Sequence, residues 1–175
     1  MSEPVPAPAP GFRSVMGRWA TGVSVVTSRD GPVDAGLTVN GLLSVSLEPP
    51  SLLVSLQHDV DTLPVLLRSR VFGVSFLSAA QRALSERFAG RVPAEEKFRD
   101  LAFHRGVSGV PLLDGALATL ECRVVSSTPA YDHVLVVGEV DRAEEGPAGA
   151  PLLFFRGAYA EHLGGDRLQL GRRPG

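Results

Sequence analysis

The stretch GLTVNGLLSVSLEPP, Gly36 to Pro50, decides how this chain is read. Its alternation predicts extended chain from Gly36 to Leu47 with one face buried. Yet it carries small hydroxyl and amide groups, Thr38, Asn40, Ser44 and Ser46, where Val and Ile would build a strand equally well. Pro49-Pro50 follows, and since proline brings no N–H to a ladder, an interruption of pairing is expected there.

Outward from this stretch the chain reads as a succession of strands. GVSVVTSRDGPVDAGLTVN predicts strand, Asp-Gly-Pro turn and strand, and Ser51 to Gln57 predicts the strand after the prolines. Asp61 is placed to cap a helix over TLPVLLRSR, with Pro64 tolerated in its first turn. Val71 to Leu77 predicts another strand. Ser78 and Gln81 have capping-box spacing for the helix AAQRALSERFAG, which Gly90 ends. RVPAEEKFRD reads as loop or a short helical turn, and GVPLLDG as a turn-rich lead-in. ALATLECRVVSST pairs naturally with DHVLVVGEVDRAEE across Pro129-Ala130-Tyr131, and PLLFFRGAYAEHL is the last strand. Near the start, FRSVMGRWATG predicts an amphipathic helix ended by Gly22, its stripe of Phe12, Val15, Met16 and Trp19 expected in the core. Many strands, about three short helices and no βαβ alternation predict a mainly β, antiparallel barrel with helices at its ends or gaps.

Composition narrows the class. The chain has 175 residues, 44% of them hydrophobic, and a formal net charge of −2. That suits one domain with a real core and argues against a nucleic-acid partner. No apolar run reaches the ~20 residues of a membrane helix, so no membrane partner is expected. The single cysteine, Cys122, alternates with apolar residues and reads as a small core residue; with no internal disulfide available, a reducing, cytoplasmic compartment is expected. Residues 1–10, rich in Pro and Ala, read as a disordered arm and not a signal peptide; residues 11–163 read as the domain and 164–175 as a flexible tail. The four histidines, His58, His104, His133 and His162, have no ligand spacing, and no metal is expected. Dinucleotide-fold, Walker, nucleophile-elbow and zinc-protease motifs are absent. On the residues alone, Gly36–Pro50 is either an edge strand whose hydroxyls face water, the commoner arrangement, or a surface offering hydroxyls, an amide and N–H groups to a flat, polar-edged ligand such as a flavin ring or its phosphate tail.

Six stretches in order decide between these: FRSVMGRWATGVSVVTS, GLTVNGLLSVSLEPPSLLVSL, VFGVSFLSAAQRALSERFAG, LATLECRVV, DHVLVVGEV and PLLFFRGAY. Together they resemble the flavin reductase-like family, the short-chain NAD(P)H:flavin oxidoreductases with an FMN-binding split barrel, from about Phe12 to Tyr159. The resemblance implies a homodimer that reduces FMN or FAD with NADH or NADPH and releases reduced flavin to a partner flavin-dependent monooxygenase. It implies flavin contacts from Thr38, Val39, Asn40, Gly41, Ser44, Val45 and Ser46, the apolar ones through backbone; the family often has Ser where this chain has Gly41. It carries Thr62 and the turn Arg87-Phe88-Ala89 to the flavin's phosphate tail. Asp132-His133, Arg156 and Tyr159 fall on the nicotinamide side, His133 as the catalytic candidate that orients the carboxamide or supplies a proton. Two alternatives stay open: a split-barrel protein that holds flavin without nucleotide turnover, and a reductase that uses bound flavin on another acceptor.

Overall fold

The computed structural model describes residues 9–90 and 93–160. The expected arm, the tail, His162 and the upper domain bound at 163 lie outside the described residues or at their edge. In chain order the elements are α1 (Ala9–Met16), β1 (Thr21–Gly22), β2 (Ser24–Asp30), β3 (Val33–Val39), β4 (Leu42–Leu47), β5 (Pro50–Gln57), α2 (Thr62–Ser69), β6 (Val71–Phe76), a 3-10 turn (Ala79–Gln81), α3 (Arg82–Ala89), α4 (Ala94–Phe98), β7 (Phe103–Arg105), β8 (Pro111–Leu113), β9 (Ala118–Ala130), β10 (His133–Glu145), β11 (Leu153–Phe155) and β12 (Ala158–Ala160).

Seven strands form one antiparallel sheet in the order β3-β2-β6-β9-β10-β5-β4. Its two edge strands, β3 and β4, are consecutive in the chain and joined only by Asn40-Gly41. Laid flat, the edges would stand roughly 29 Å apart at ~4.8 Å per strand. The step from Val39 to Leu42 spans at most ~11 Å. The sheet therefore has to curl until its edges meet, and the Gly41 carbonyl accepts a hydrogen bond from Ser55 N at 2.8 Å where it does. A barrel with its seam at Asn40-Gly41 follows from the connection.

Inside sit Val26, Leu52, Val54, Leu56, Phe72, Val74 and Val136, with Leu63 and Leu66 of α2 packed against them. Each such side chain contributes roughly 1.5–3 kcal/mol on burial. Gly138 makes room for Phe72: a Cβ there would stand 2.4 Å from the ring. A second cluster, Val25, Leu77, Phe88, Leu113 and Leu152, lies under α3 and α4. Cys122 is buried as expected, and burial with the nearby Asp141 and Glu121 carboxylates pushes its thiol up to about 12.

Several expectations are corrected. The stripe of α1 and the turn after it is not core: Phe12, Val15, Met16 and Trp19 are all exposed, since no element among the described residues packs over them. The helix ends at Met16, and Gly22 belongs to β1, drawn into pairing with Leu153 of β11. Pro49-Pro50 does not interrupt pairing. Glu48 and the cis-linked Pro49 form a two-residue loop, and Pro50 opens β5 opposite Leu47, a first-strand position that needs no N–H. Asp61 makes no side-chain cap bond because its backbone is already helical, φ −60° and ψ −25°, rather than extended as a capping residue's is. The last strand is a hairpin, β11 and β12 turning at Arg156-Gly157, both with positive φ. Phe103–Arg105, with no clear strand pattern of its own, pairs with β8. The Ser78–Gln81 capping box forms, Ser78 N donating to Gln81 Oε1 at 3.1 Å.

Candidate functional site

Beside the seam opens a cleft of about 430 Å³. Trp19 to Ser24 line one side, Asn40 and Leu42 the seam, and Phe76, Leu77, Leu117, Pro151 and Leu152 the floor. The walls are held by backbone bonds: Val23 N to Leu152 O at 3.1 Å, Leu77 N to Val23 O at 3.0 Å, and Leu152 N to Leu77 O at 2.9 Å. Most of the lining is apolar. Two polar groups stand out. Asn40 is exposed at the mouth. Thr21 Oγ1 is buried and has no hydrogen-bond partner among the described residues, a state that costs roughly 1–3 kcal/mol unless something supplies one. An apolar hollow with few polar groups is the usual form of a small-molecule site.

The β9–β10 turn brings a second group close to Asn40. His133 pairs with Gln57 across β10 and β5, and Gly41 bonds to Ser55 two residues along. Two strand spacings sideways and two residues along, ~12 Å in all, therefore separate His133 from the seam. His133 Nδ1 lies 2.9 Å from Asp132 Oδ1, and His58 Nδ1 donates to the Asp132 carbonyl at 3.0 Å. Two histidines that are distant in sequence are thus neighbours. The bond from His133, then one from Asp132's own N–H, lowers the Asp132 carboxyl below its ordinary range. With Nδ1 committed to Asp132, Nε2 is the nitrogen that His133 has free to offer. Tyr131 before it is fully exposed with φ 58°, a strained backbone for a bulky residue. Among the described residues no three His, Cys, Asp or Glu side chains form a metal cluster.

Of the seam residues expected to meet a ligand, only Asn40 lines the cleft. Thr38 donates to the Ser85 carbonyl at 2.6 Å, and Ser85 Oγ donates to the Tyr159 hydroxyl at 2.9 Å, whose ring lies under Arg82. Thr38 and Tyr159 are therefore tied together through α3. Val39 points into the core. Gly41 packs on Ser55, where a Cβ would sit 3.2 Å from the serine's, so a serine at 41 would press on β5. Ser44 and Val45 are exposed on the edge strand, which bulges between Ser44 and Ser46. Ser46 Oγ accepts from Glu48 N at 3.1 Å.

Three of the expected tail residues are turned inward or bound within the chain. Thr62 is 2% exposed. Phe88 is 1% exposed, packed edge-on against Phe98. Arg87 donates to the carbonyls of Glu96 and Arg99, so its guanidinium holds the chain after α3 instead. Ala89 is exposed at the helix end, and Arg156 faces a different hollow. Trp19 and Thr21 were missed by sequence reasoning: one looked like helix stripe, and only the three-dimensional contacts reveal the other's unpartnered oxygen.

A seven-stranded antiparallel barrel with a seam cleft is the split-barrel class, and the comparisons with known proteins agree. The chain belongs to the flavin reductase-like family: the model of the flavin reductase like domain matches residues 16–162. It is 39% identical over 148 residues to the reductase component of 4-hydroxyphenylacetate 3-monooxygenase from Thermus thermophilus, covering 85% of this chain and 93% of that one. It is 38% identical over 160 residues to a Rhodococcus NADH-dependent flavin reductase, covering 89% and 88%. Among solved structures, the Streptomyces globisporus NADH:FAD oxidoreductase SgcE6 in complex with NAD and FAD fragments superposes with a TM-score of 0.81 at 35% identity, covering 89% of this chain and 92% of that one.

Proposed function

We propose that this protein is an NADH-dependent flavin reductase, taking FMN or FAD as its flavin and supplying reduced flavin to a partner monooxygenase. The observation that carries the reading is that relatives named as NADH-dependent flavin reductases, and as reductase components of monooxygenases, match 85–89% of this chain. The site's chemistry fits: an apolar cleft accepts a ring face, while Asn40 and the unpartnered Thr21 hydroxyl meet polar edges. Flavin bound there supplies the hydride acceptor, with reduced nicotinamide as donor. The chain's own part is to orient and to exclude water. The Asp132 bond fixes the His133 ring so that Nε2 serves as donor or acceptor for the carboxamide. The reaction needs no general acid-base pair, in keeping with the lack of any catalytic motif. We read the working unit as a homodimer whose second copy covers α1 and β4, and the compartment as the cytoplasm, on the single buried thiol.

Anaerobic mixing with NADH and each flavin tests the reading: the nicotinamide absorbance should fall as reduced flavin accumulates. Flavin binding without NADH oxidation would leave a flavin-holding barrel instead. His133→Ala is expected to lower kcat/KM for NADH roughly tenfold to a hundredfold while flavin affinity changes little. Loss of flavin binding with NADH kinetics intact would move His133 to the other side of the ring.

A further inference from the structure

A second hollow, of about 530 Å³, lies between the last turn of α1 and the β11–β12 turn. Arg13, Ser14, Gly17, Arg18, Arg156 and Gly157 line it. No acidic side chain does, and none of the three guanidinium groups has an ion-pair partner among the described residues. Bland explanations cover part of this. Arg13 in the last turn of α1 complements the helix dipole, and Arg156 stacks 5.2 Å over the Phe155 ring. They account for where two cations rest, not for three arginines lining one concavity. The backbone ties the two segments together: Arg156 N donates to Gly17 O at 2.7 Å.

The hollow also adjoins the cleft. Gly17 and Arg18 line the first, and Trp19 to Ser24 line the second, so Arg18 and Thr21 lie within ~11 Å of each other. β1 pairs with β11, whose turn carries Arg156. The two cavities therefore sit at opposite ends of one short strand pair. An apolar cleft with an unpartnered hydroxyl, continued by a cluster of uncompensated guanidinium groups, matches a ligand with a flat ring at one end and a strong anion next to it.

We propose that this hollow is a diphosphate subsite, in which Arg13, Arg18 and Arg156 hold the diphosphate bridge of the pyridine dinucleotide while its nicotinamide end reaches the flavin ring held in the cleft. The assignment rests on the NADH-dependent reading above. The test compares the unaltered chain with R13Q/R18Q/R156Q, using NADH, FMN and inorganic pyrophosphate. The triple variant should raise KM for NADH roughly tenfold or more, with KM for FMN within about twofold. Pyrophosphate should compete with NADH and not with FMN in the unaltered chain, and should bind it by calorimetry; both effects should vanish in the variant. An unmoved KM for NADH, an equal rise for FMN, or pyrophosphate binding that survives in the variant would overturn the subsite. If the triple variant does not fold, Arg18→Gln against the charge-retaining Arg18→Lys decides by the same readouts. Absence of NADH oxidation by the unaltered chain would overturn the reductase reading, whereas the pyrophosphate titration still judges the arginine hollow by itself.

Discussion

At the scale of single residues, the most informative atom is Thr21 Oγ1, buried in the cleft wall without a partner. A fold does not gain from such a group unless a bound molecule reaches it. Thr21→Val removes the oxygen and keeps the shape. Without ligand the variant should be unchanged or more stable, by up to roughly 1–2 kcal/mol. With flavin and NADH present its affinity for one of them should fall severalfold. Thermal melting with and without each ligand checks both halves; a variant that melts lower on its own means that the hydroxyl has a partner in the folded chain. Nothing in the letters Ala20-Thr21-Gly22 marks that oxygen, because being unpartnered is a property of neighbours brought from β6 and β11. Asn40 could be read from the sequence, since an amide amid alternating apolar residues is unusual wherever it falls. The burial of Thr62 and Phe88 stayed hidden for a related reason: a resemblance transfers positions, and only packing says which way a side chain faces.

At the scale of elements, the strands of the barrel were legible as short apolar or alternating runs between turn residues, and β9 pairs with β10 as expected, although the turn is Tyr131-Asp132 and Pro129 and Ala130, expected in it, are paired with Val134 and His133. What stayed hidden was how the irregular pieces attach. The β7–β8 hairpin is fixed by one residue of β9, Glu121, which is 5% exposed. Its carboxylate accepts from Val107 N at 3.0 Å, Ser108 N at 2.8 Å and Ser108 Oγ at 2.6 Å. Burial opposes its ionisation, but the bonds from Ser108 and Val107 and the field of Arg142 outweigh it, and the carboxyl is held below its ordinary range. A depressed carboxylate stabilises the fold above the unfolded value, ~4.3, and that contribution is lost as pH falls through the folded value. Glu121→Gln should therefore cost about 1–3 kcal/mol at neutral pH. The gap between variant and parent should close as pH drops below ~4. Denaturant midpoints across that range measure it; a gap independent of pH would mean that the bonds do not need the charge.

At the scale of the molecule, closure and association share one cause. The two-residue seam forces the sheet into a barrel but leaves β4 as an edge strand, and its outward residues Leu43, Val45 and Leu47 are 61, 51 and 90% exposed. The α1 face adds Phe12, Val15, Met16 and Trp19 at 61, 66, 48 and 71%. We read two such apolar surfaces, on an edge strand and on a helix left uncovered among the described residues, as an association site rather than scattered surface hydrophobics. A second copy with two-fold symmetry is the simplest cover, since one surface then satisfies both protomers. Light scattering should give about twice the 18.5 kDa chain mass at micromolar concentration. Trp19 also lines the cleft, so association and ligand binding should be coupled. Leu43→Glu/Val45→Glu puts two charges on the edge strand of each copy without touching the barrel interior. It should shift the mass toward one chain and weaken flavin binding in proportion to the monomer formed, with far-ultraviolet circular dichroism unchanged. Full flavin affinity in a well-folded monomer would separate the cleft from the interface and leave the apolar faces to another partner. A dimer that survives both charges would move its interface off β4 and onto α1, where Phe12→Asp is the corresponding probe.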